Sequence, residues 1–218
     1  MIMYKKHSLE QFLFDRDKFL KRPDANQQKV NEAILPYLPI IHEAFEESFR
    51  TYHNMISPLP PSYFTPQYPA TTLNGILWGK LREKLTGHRF IDTAEKRTFW
   101  ILDDKYWVTI KKLNNDYKPS NIPTQNTRRI LTQYAPKAES TCPILFLGYR
   151  ISHGDWTEPE GIYVTYVDQE KDIHWVTDLS LLSSQPILSD YSVISGSSPI
   201  EIKQDRVQVK KRKLVMEV

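Results

Sequence analysis

The hydrophobic period changes in the middle of the chain, and this change constrains the fold more than any other feature. Before residue 85, apolar side chains recur at spacings of three and four, as they do on one face of a helix. From residue 98 onwards, many alternate with polar ones, as in a strand with one buried face. The pattern predicts an α+β fold, in which amino-terminal helices precede a mostly antiparallel sheet of about five strands with one inserted helix.

Helix start and stop signals divide the first part of the chain. Ser8 and Gln11 form a capping box, which predicts a helix over 9–21. Asp24 is a candidate cap for a second, longer helical stripe. Two prolines within 35–39 remove backbone donors, so we expect this stripe to kink or break there.

A proline-rich stretch follows the helices. Residues 57–69 hold five of the fifteen prolines, a composition that favours an extended connector. Thr72 can cap a further helix, which is expected to end where Gly87 adopts the left-handed conformation. We therefore expect four regions, namely an amino-terminal helical region 1–57, a connector 58–70, an α+β core 71–182, and a carboxy-terminal strand or basic tail 183–218.

The sheet is predicted from runs of aromatic and β-branched residues. The runs 98–102 and 106–111 flank a short polar turn, which is typical of a hairpin. A helix is expected from about 124 to 134, with Thr124 as its cap. Three further strands are predicted, the last two of which form a hairpin: 144–151, 161–168 and 173–179.

Positive charge is concentrated after the second strand of the first hairpin. Because side chains alternate across a sheet, Tyr106, Val108 and Ile110 should face the core, and Trp107 and Lys111 the other side. An aromatic plane beside a cation can hold a base and its phosphate. The free amides at the start of the 124–134 helix would point toward the same loop. The candidate nucleic-acid-binding residues are Trp107, Lys111, Lys112, Lys118, Arg128 and Arg129.

These residues also admit an interpretation without function. Trp107 can pack beneath the amino-terminal helices, and the charges can form an ordinary solvated surface. A second basic segment near the carboxy terminus can bind nucleic acid or protect an edge strand from aggregation. Its cations are Lys203, Arg206, Lys210, Lys211, Arg212 and Lys213.

Composition narrows the class of protein. A formal net charge of +3 and a pI near 8.8 are only mildly basic, so any anion site must be local. A single cysteine, Cys142, cannot form an internal disulfide, which fits a reducing cytoplasm. No window approaches the roughly 20 apolar residues of a membrane span. We expect a soluble, cytoplasmic protein with no membrane partner, metal or cofactor.

A toxin-like, metal-dependent nuclease is one alternative. It requires grouped carboxylates, and the candidates are Asp92, Glu95, Asp103 and Asp104. The last two occupy the hairpin turn, where aspartate serves local hydrogen bonding. The following strand has Thr109, and not a carboxylate, two residues before Lys111. His42 and Glu46 lie one helical turn apart but form an incomplete metal-ligand set.

The sequence thus favours an intracellular protein that binds nucleic acid or a nucleotide-like anion without catalysing a reaction. A second alternative is a protein-interaction or oligomerisation module, in which the amino-terminal helices bind a partner protein or form a homodimer.

Overall fold

The structure is a computed structural model that describes residues 19–60, 68–93, 97–120, 127, 130–136, 142–151, 156–169 and 172–183. The helices are α1 (Gln27–Ile34), α2 (Leu38–Ile56), α3 (Tyr68–Lys84) and the short α4 (Leu179–Ser183). The strands are β1 (Phe19–Lys21), β2 (Phe90–Asp92), β3 (Thr98–Leu102), β4 (Tyr106–Lys112), β5 (Tyr134–Pro136), β6 (Ile144–Arg150), β7 (Gly161–Gln169) and β8 (Asp172–Asp178).

The strands form one large and one small sheet. The large sheet has six strands in the order β2-β3-β4-β6-β7-β8, and β1 pairs with β5 in the small one. Every neighbouring pair is antiparallel except β4 and β6, which are parallel. A parallel pair needs a long crossover, and here the connection spans residues 113–143. The predicted α+β fold with a mostly antiparallel sheet is confirmed.

The amino-terminal helices differ in detail from the prediction. Residues 19–21 form β1 because they pair with β5, so the predicted 9–21 helix is wrong at its end, and 9–18 lie outside the described residues. Asn26, and not Asp24, caps α1, since its side chain accepts a hydrogen bond from the Lys29 amide at 3.0 Å. The break at 35–39 is confirmed as a 3₁₀ turn between α1 and α2.

Two further boundaries shift. Helix α3 begins at Tyr68, before the predicted cap Thr72, and Gly87 after its end has φ of +86° as predicted. The predicted 124–134 helix is helical at residues 127, 130 and 131, but residues 134–136 are β5. Gln133, with φ of +57°, provides the physical reason, because a left-handed residue ends a helix.

The large sheet has two different faces. We call the face covered by α2 and α3 the helix face. Its buried side chains include Trp100, Leu102, Tyr106, Val108, Ile110, Leu145, Leu147, Tyr149, Val164 and Tyr166. We call the opposite side the second face, where a smaller buried cluster consists of Phe99, Ile101, Ile144, Phe146 and Val167. The predicted core orientation of Tyr106, Val108 and Ile110 is therefore confirmed.

Gln133 ties the crossover to the second face. Its fully buried amide accepts a hydrogen bond from the Ile144 amide and donates to the carbonyls of Ile144 and Val167, each at 2.9 Å. Its own carbonyl accepts from the Arg22 backbone amide at 2.7 Å. One residue thus joins β6, β7 and the segment after β1.

None of the helices in the described part of the chain combines the length and apolar character that a bilayer span requires.

Candidate functional site

Trp107 lies on the second face, as alternation predicts, but protein groups cover its ring. The indole is half-buried, with its centroid 5.1 Å from that of Phe99. The Arg22 guanidinium carbon lies 4.9 Å from the indole centroid. The ring therefore already has a cation–π partner and packs against the second-face cluster. A nucleic-acid base could stack on the indole only where these groups leave the ring accessible.

Arg22 is part of the surroundings of Trp107, and no feature of the sequence pointed to it. Its side chain is only 3% exposed, and it donates to the Cys142 carbonyl at 2.6 Å. The residue lies in an irregular stretch between β1 and α1, where no periodic pattern singles it out. Its guanidinium lies over the indole of Trp107, so Arg22 helps to position that ring.

Lys111 lies on the same face as Trp107, further along β4. It is half-buried, and burial lowers the pKa of its ammonium, with the nearby positive charge of Arg97 lowering it further. Among the described residues, the ammonium has no hydrogen bond or ion pair. Lys111 is therefore a shielded cation beside a second cation.

Arg97 is the neighbour that brings a second positive charge to this point. In the register of β3 and β4, Ile101 pairs with Trp107, and continuing it places Arg97 opposite Lys111. The Arg97 guanidinium donates to the Thr127 hydroxyl at 2.9 Å, and Thr127 is buried. We call Arg97, Lys111 and Thr127 the cationic patch. Alternation back from Phe99 places Arg97 on the second face, a signal that the sequence contains.

The predicted residues next to Thr127 cannot be assigned to this patch. The side chains of Arg128 and Arg129 lie outside the described residues, as does Thr124. Their membership in the binding site stays a prediction.

Lys112 lies on the other side of the sheet from Lys111. Its ammonium is 4.6 Å from the ring centroid of Trp156, a cation–π contact. The Trp156 ring in turn lies 6.2 Å from that of Tyr52 on α2. The structure thus separates two adjacent lysines that the sequence grouped together, because neighbouring strand residues point to opposite faces.

Lys118 belongs to a compact loop after β4. A bridge between Leu113 and Pro119 closes the loop, and the Asn114 side chain accepts hydrogen bonds from the amides of Asp116 and Lys118. The backbone at Lys118 is therefore fixed by local turn bonds.

The same loop carries an aromatic group toward the second face. Tyr117, with φ of +58°, places its ring centroid 5.0 Å from that of Tyr163. The Arg150 guanidinium lies 4.8 Å from the Tyr117 ring and pairs with Glu160 at 3.2 Å. Tyr163 lies in the same cross-strand row as Lys111, with Gly148 between them. Arg150 is thus a third cation on this face, but it already has Glu160 as its carboxylate partner.

The candidate nuclease carboxylates that the structure describes do not gather in one place. Asp92 accepts hydrogen bonds from Arg82, at 2.6 and 2.7 Å, and from Thr98, and these bonds hold its pKa below the usual value. Asp103 and Asp104 form the hairpin turn with φ of 52° and 53°, and Glu95 lies outside the described residues. In the part of the chain that the structure describes, no three His, Cys, Asp or Glu residues are grouped as metal ligands.

Comparison with known proteins adds no independent indication of function. No protein-family model, curated protein or solved structure matches the chain. What the site can do must therefore be inferred from its own residues. Two cations on one face, one of them hydrogen-bonded to a buried hydroxyl group, can bind a phosphate or another oxyanion through charge-assisted hydrogen bonds.

Proposed function

We propose that the chain binds nucleic acid, or a nucleotide-like anion, at the cationic patch, and that it does so in the cytoplasm without catalysing a reaction. The observation that carries the proposal is the half-buried Lys111 beside Arg97, with no ion pair for Lys111 among the described residues. Such a cation is poorly hydrated and repelled by its neighbour, so a bound phosphate would stabilise it.

The energy of the repulsion favours an anionic ligand. Residues directly opposite each other on paired strands have Cβ atoms about 4.5 to 5.5 Å apart, so the charges at the ends of their side chains can approach to about 6 Å. At that distance two like unit charges repel by roughly 1 to 3 kcal/mol when the effective dielectric constant is about 20 to 40. A dianionic phosphate between the two cations replaces this repulsion with attraction. The patch is thus suited to an anion.

Other lysines show what an internally neutralised cation looks like in this fold. Lys84 on α3 lies 2.9 Å from carboxylate oxygens of both Glu43 and Glu47, and these bonds raise its pKa. Lys21 is likewise paired with Asp168, which raises its pKa. Carboxylates of the same chain neutralise these two lysines. The pKa of Lys111 shifts in the opposite direction, which supports an external anion as its partner.

The proposed interface extends beyond Lys111. Lys118 lies in the loop at the same end of β4, and Arg128 and Arg129 follow Thr127 directly in sequence. The basic residues 203–213 would assist binding to a longer nucleic acid, and they lie outside the described residues. Lys112 is left out of the proposed interface because it lies on the helix face.

Fluorescence anisotropy with a labelled nonspecific single-stranded oligonucleotide tests the proposal. The affinity should fall steeply with salt, and each lost phosphate contact should reduce the slope of log K against log salt by about 0.7. Lys111→Gln should reduce the slope by that amount, and Lys111→Glu combined with Arg128→Glu should abolish binding. Lys112→Gln is the matched control, since it removes the adjacent charge from the opposite face.

Two results would refute the proposal. One is undetectable binding at low salt, and the other is an equal effect of Lys111→Gln and Lys112→Gln. A stable homodimer that is indifferent to salt and does not bind the oligonucleotide would instead favour the interaction module. Light scattering after size-exclusion chromatography measures that state directly.

A further inference from the structure

The surroundings of Lys111 suit covalent chemistry as well as ion pairing. An amine attacks a carbonyl carbon only as the free base, and a lysine becomes nucleophilic where burial and a nearby cation disfavour its protonated form. Both conditions hold at Lys111, which is half-buried on the second face beside Arg97. Among the described residues no carboxylate holds its ammonium in the charged form.

We infer that Lys111 is an acylation site that accepts an acyl group from small acyl phosphates, with Arg97 binding the phosphate that departs. The uncharged Nζ attacks the acyl carbon, and an N–C bond forms. The bond between that carbon and the bridging oxygen breaks, and its electron pair leaves with inorganic phosphate. The proton that the nitrogen loses ends on the departing phosphate, so the products are an amide and hydrogen phosphate.

The location of Arg97 explains why an acyl phosphate suits this site better than an uncharged acyl donor. Continuing the register of β3 and β4 places Arg97 across from Lys111, and the Arg97 guanidinium is oriented by its hydrogen bond to the Thr127 hydroxyl. A guanidinium binds phosphate oxygens in a bidentate way and stabilises the charge that develops on the leaving group. The same cation thus favours the free amine and binds the donor.

Acylation of Lys111 would control the proposed function, on which this consequence rests. The amide has no positive charge, so the cationic patch would keep only Arg97. Acylated protein should therefore bind the oligonucleotide more weakly, to the extent that Lys111→Gln does. Small acyl phosphates would in this way reduce anion binding without a dedicated enzyme.

The test incubates wild-type protein with acetyl phosphate and measures acetylation at each lysine over time by peptide mass spectrometry. Lys105 is the reference, because it is exposed in the hairpin turn and accessibility alone would favour it. Lys84 is the second reference, since its side chain is 16% exposed and is held in its charged form by Glu43 and Glu47. We expect Lys111 to react at least about fivefold faster than Lys105, and Lys84 to react slowest.

Three further arms isolate the role of Arg97. Acetic anhydride, which has no phosphate, should show a smaller lead of Lys111 over Lys105. Added inorganic phosphate should slow acetylation of Lys111 by acetyl phosphate but not that of Lys105. Arg97→Gln should remove the lead, with circular dichroism confirming that the variant is folded. The phosphate arm needs no variant, so it decides the question even if Arg97→Gln does not fold.

The inference is overturned if Lys111 reacts no faster than Lys105, or if its lead is the same with acetic anhydride. Fluorescence anisotropy with unmodified protein tests the proposed function separately, because it measures oligonucleotide binding without acylation. Selective acetylation without oligonucleotide binding would remove nucleic acid as the ligand and retain the acylation site. Oligonucleotide binding without selective acetylation would retain nucleic acid as the ligand and remove the acylation site.

Discussion

Replacing Gln133 by leucine removes the buried amide that joins the crossover to two strands of the large sheet. The amide makes three hydrogen bonds, with the N–H and carbonyl of Ile144 and the carbonyl of Val167. Leucine has a similar volume and occupies the same backbone, so the left-handed φ of +57° is unfavourable for both residues. The change therefore tests mainly the hydrogen bonds.

The cost follows from the groups that lose their partner. A buried backbone group left without a hydrogen bond costs about 1 to 3 kcal/mol, and the leucine side chain returns about 1 to 2 kcal/mol through apolar burial. Summed over the three affected groups, these figures give a loss of about 1 to 8 kcal/mol, and we expect a value near the middle, about 3 to 5 kcal/mol, in the free energy of unfolding. For a chain of this size, the melting temperature should fall by about 6 to 20 °C.

Urea denaturation followed by circular dichroism measures the change. Gln28→Leu is the matched control, because Gln28 is exposed on α1 and its side chain, within the described part of the chain, bonds only to Glu32 on the same helix. Its effect should stay within about 0.5 kcal/mol. A loss below about 1 kcal/mol for Gln133→Leu would show that water or other groups satisfy the three backbone atoms, and would refute the reasoning.

Two further predictions concern packing and pH. At Gly148 an added Cβ would overlap the Leu113 side chain, so Gly148→Ala should cost about 1 to 3 kcal/mol, and adding Leu113→Ala should relieve the overlap. Gly79→Ala, which meets nothing within 4 Å on α3, should instead stabilise the protein by about 0.5 to 1 kcal/mol; denaturation curves distinguish the two. Hydrogen bonds from two lysines of α3 hold the pKa of Glu47 below its usual 4.5. The contribution of the Glu47 carboxylate to stability is therefore present above pH 4.5 and is lost as the pH falls through its folded-state pKa. Between about pH 5 and 3, the melting temperature of Glu47→Gln should fall less than that of wild type.

Local signals made much of the fold predictable. The hairpin of β3 and β4 was visible because two runs of alternating residues flank a turn, and Asp103 and Asp104 adopt the positive φ that such turns need. The break between α1 and α2 was visible because proline cannot donate a backbone hydrogen bond. In each case the cause lies within a few residues of the effect, which a single sequence can show.

Distant pairings were not predictable for the opposite reason. Strands β1 and β5 have only three residues each and form because they meet each other, although more than 100 residues separate them. Strand β2 is equally short and depends on β3. The sequence alone also does not decide whether Asp24 or Asn26 caps the helix, since both side chains cap well and tertiary packing decides which one is used.

The composition of the cationic patch shows what the alternation of side chains along a strand can predict and what it cannot. Applied strictly to β4, the rule places Trp107 and Lys111 on one face and Lys112 on the other, so adjacent lysines do not add their charges on a single surface. Applied to β3, it brings Arg97 to the second face through Phe99, although the two cations are distant in sequence. Local charge density therefore depends on strand register, and a basic run such as 111–112 overstates it. The partial burial of Lys111 depends on its tertiary surroundings, which alternation does not reveal, and that burial gives the site its chemical character.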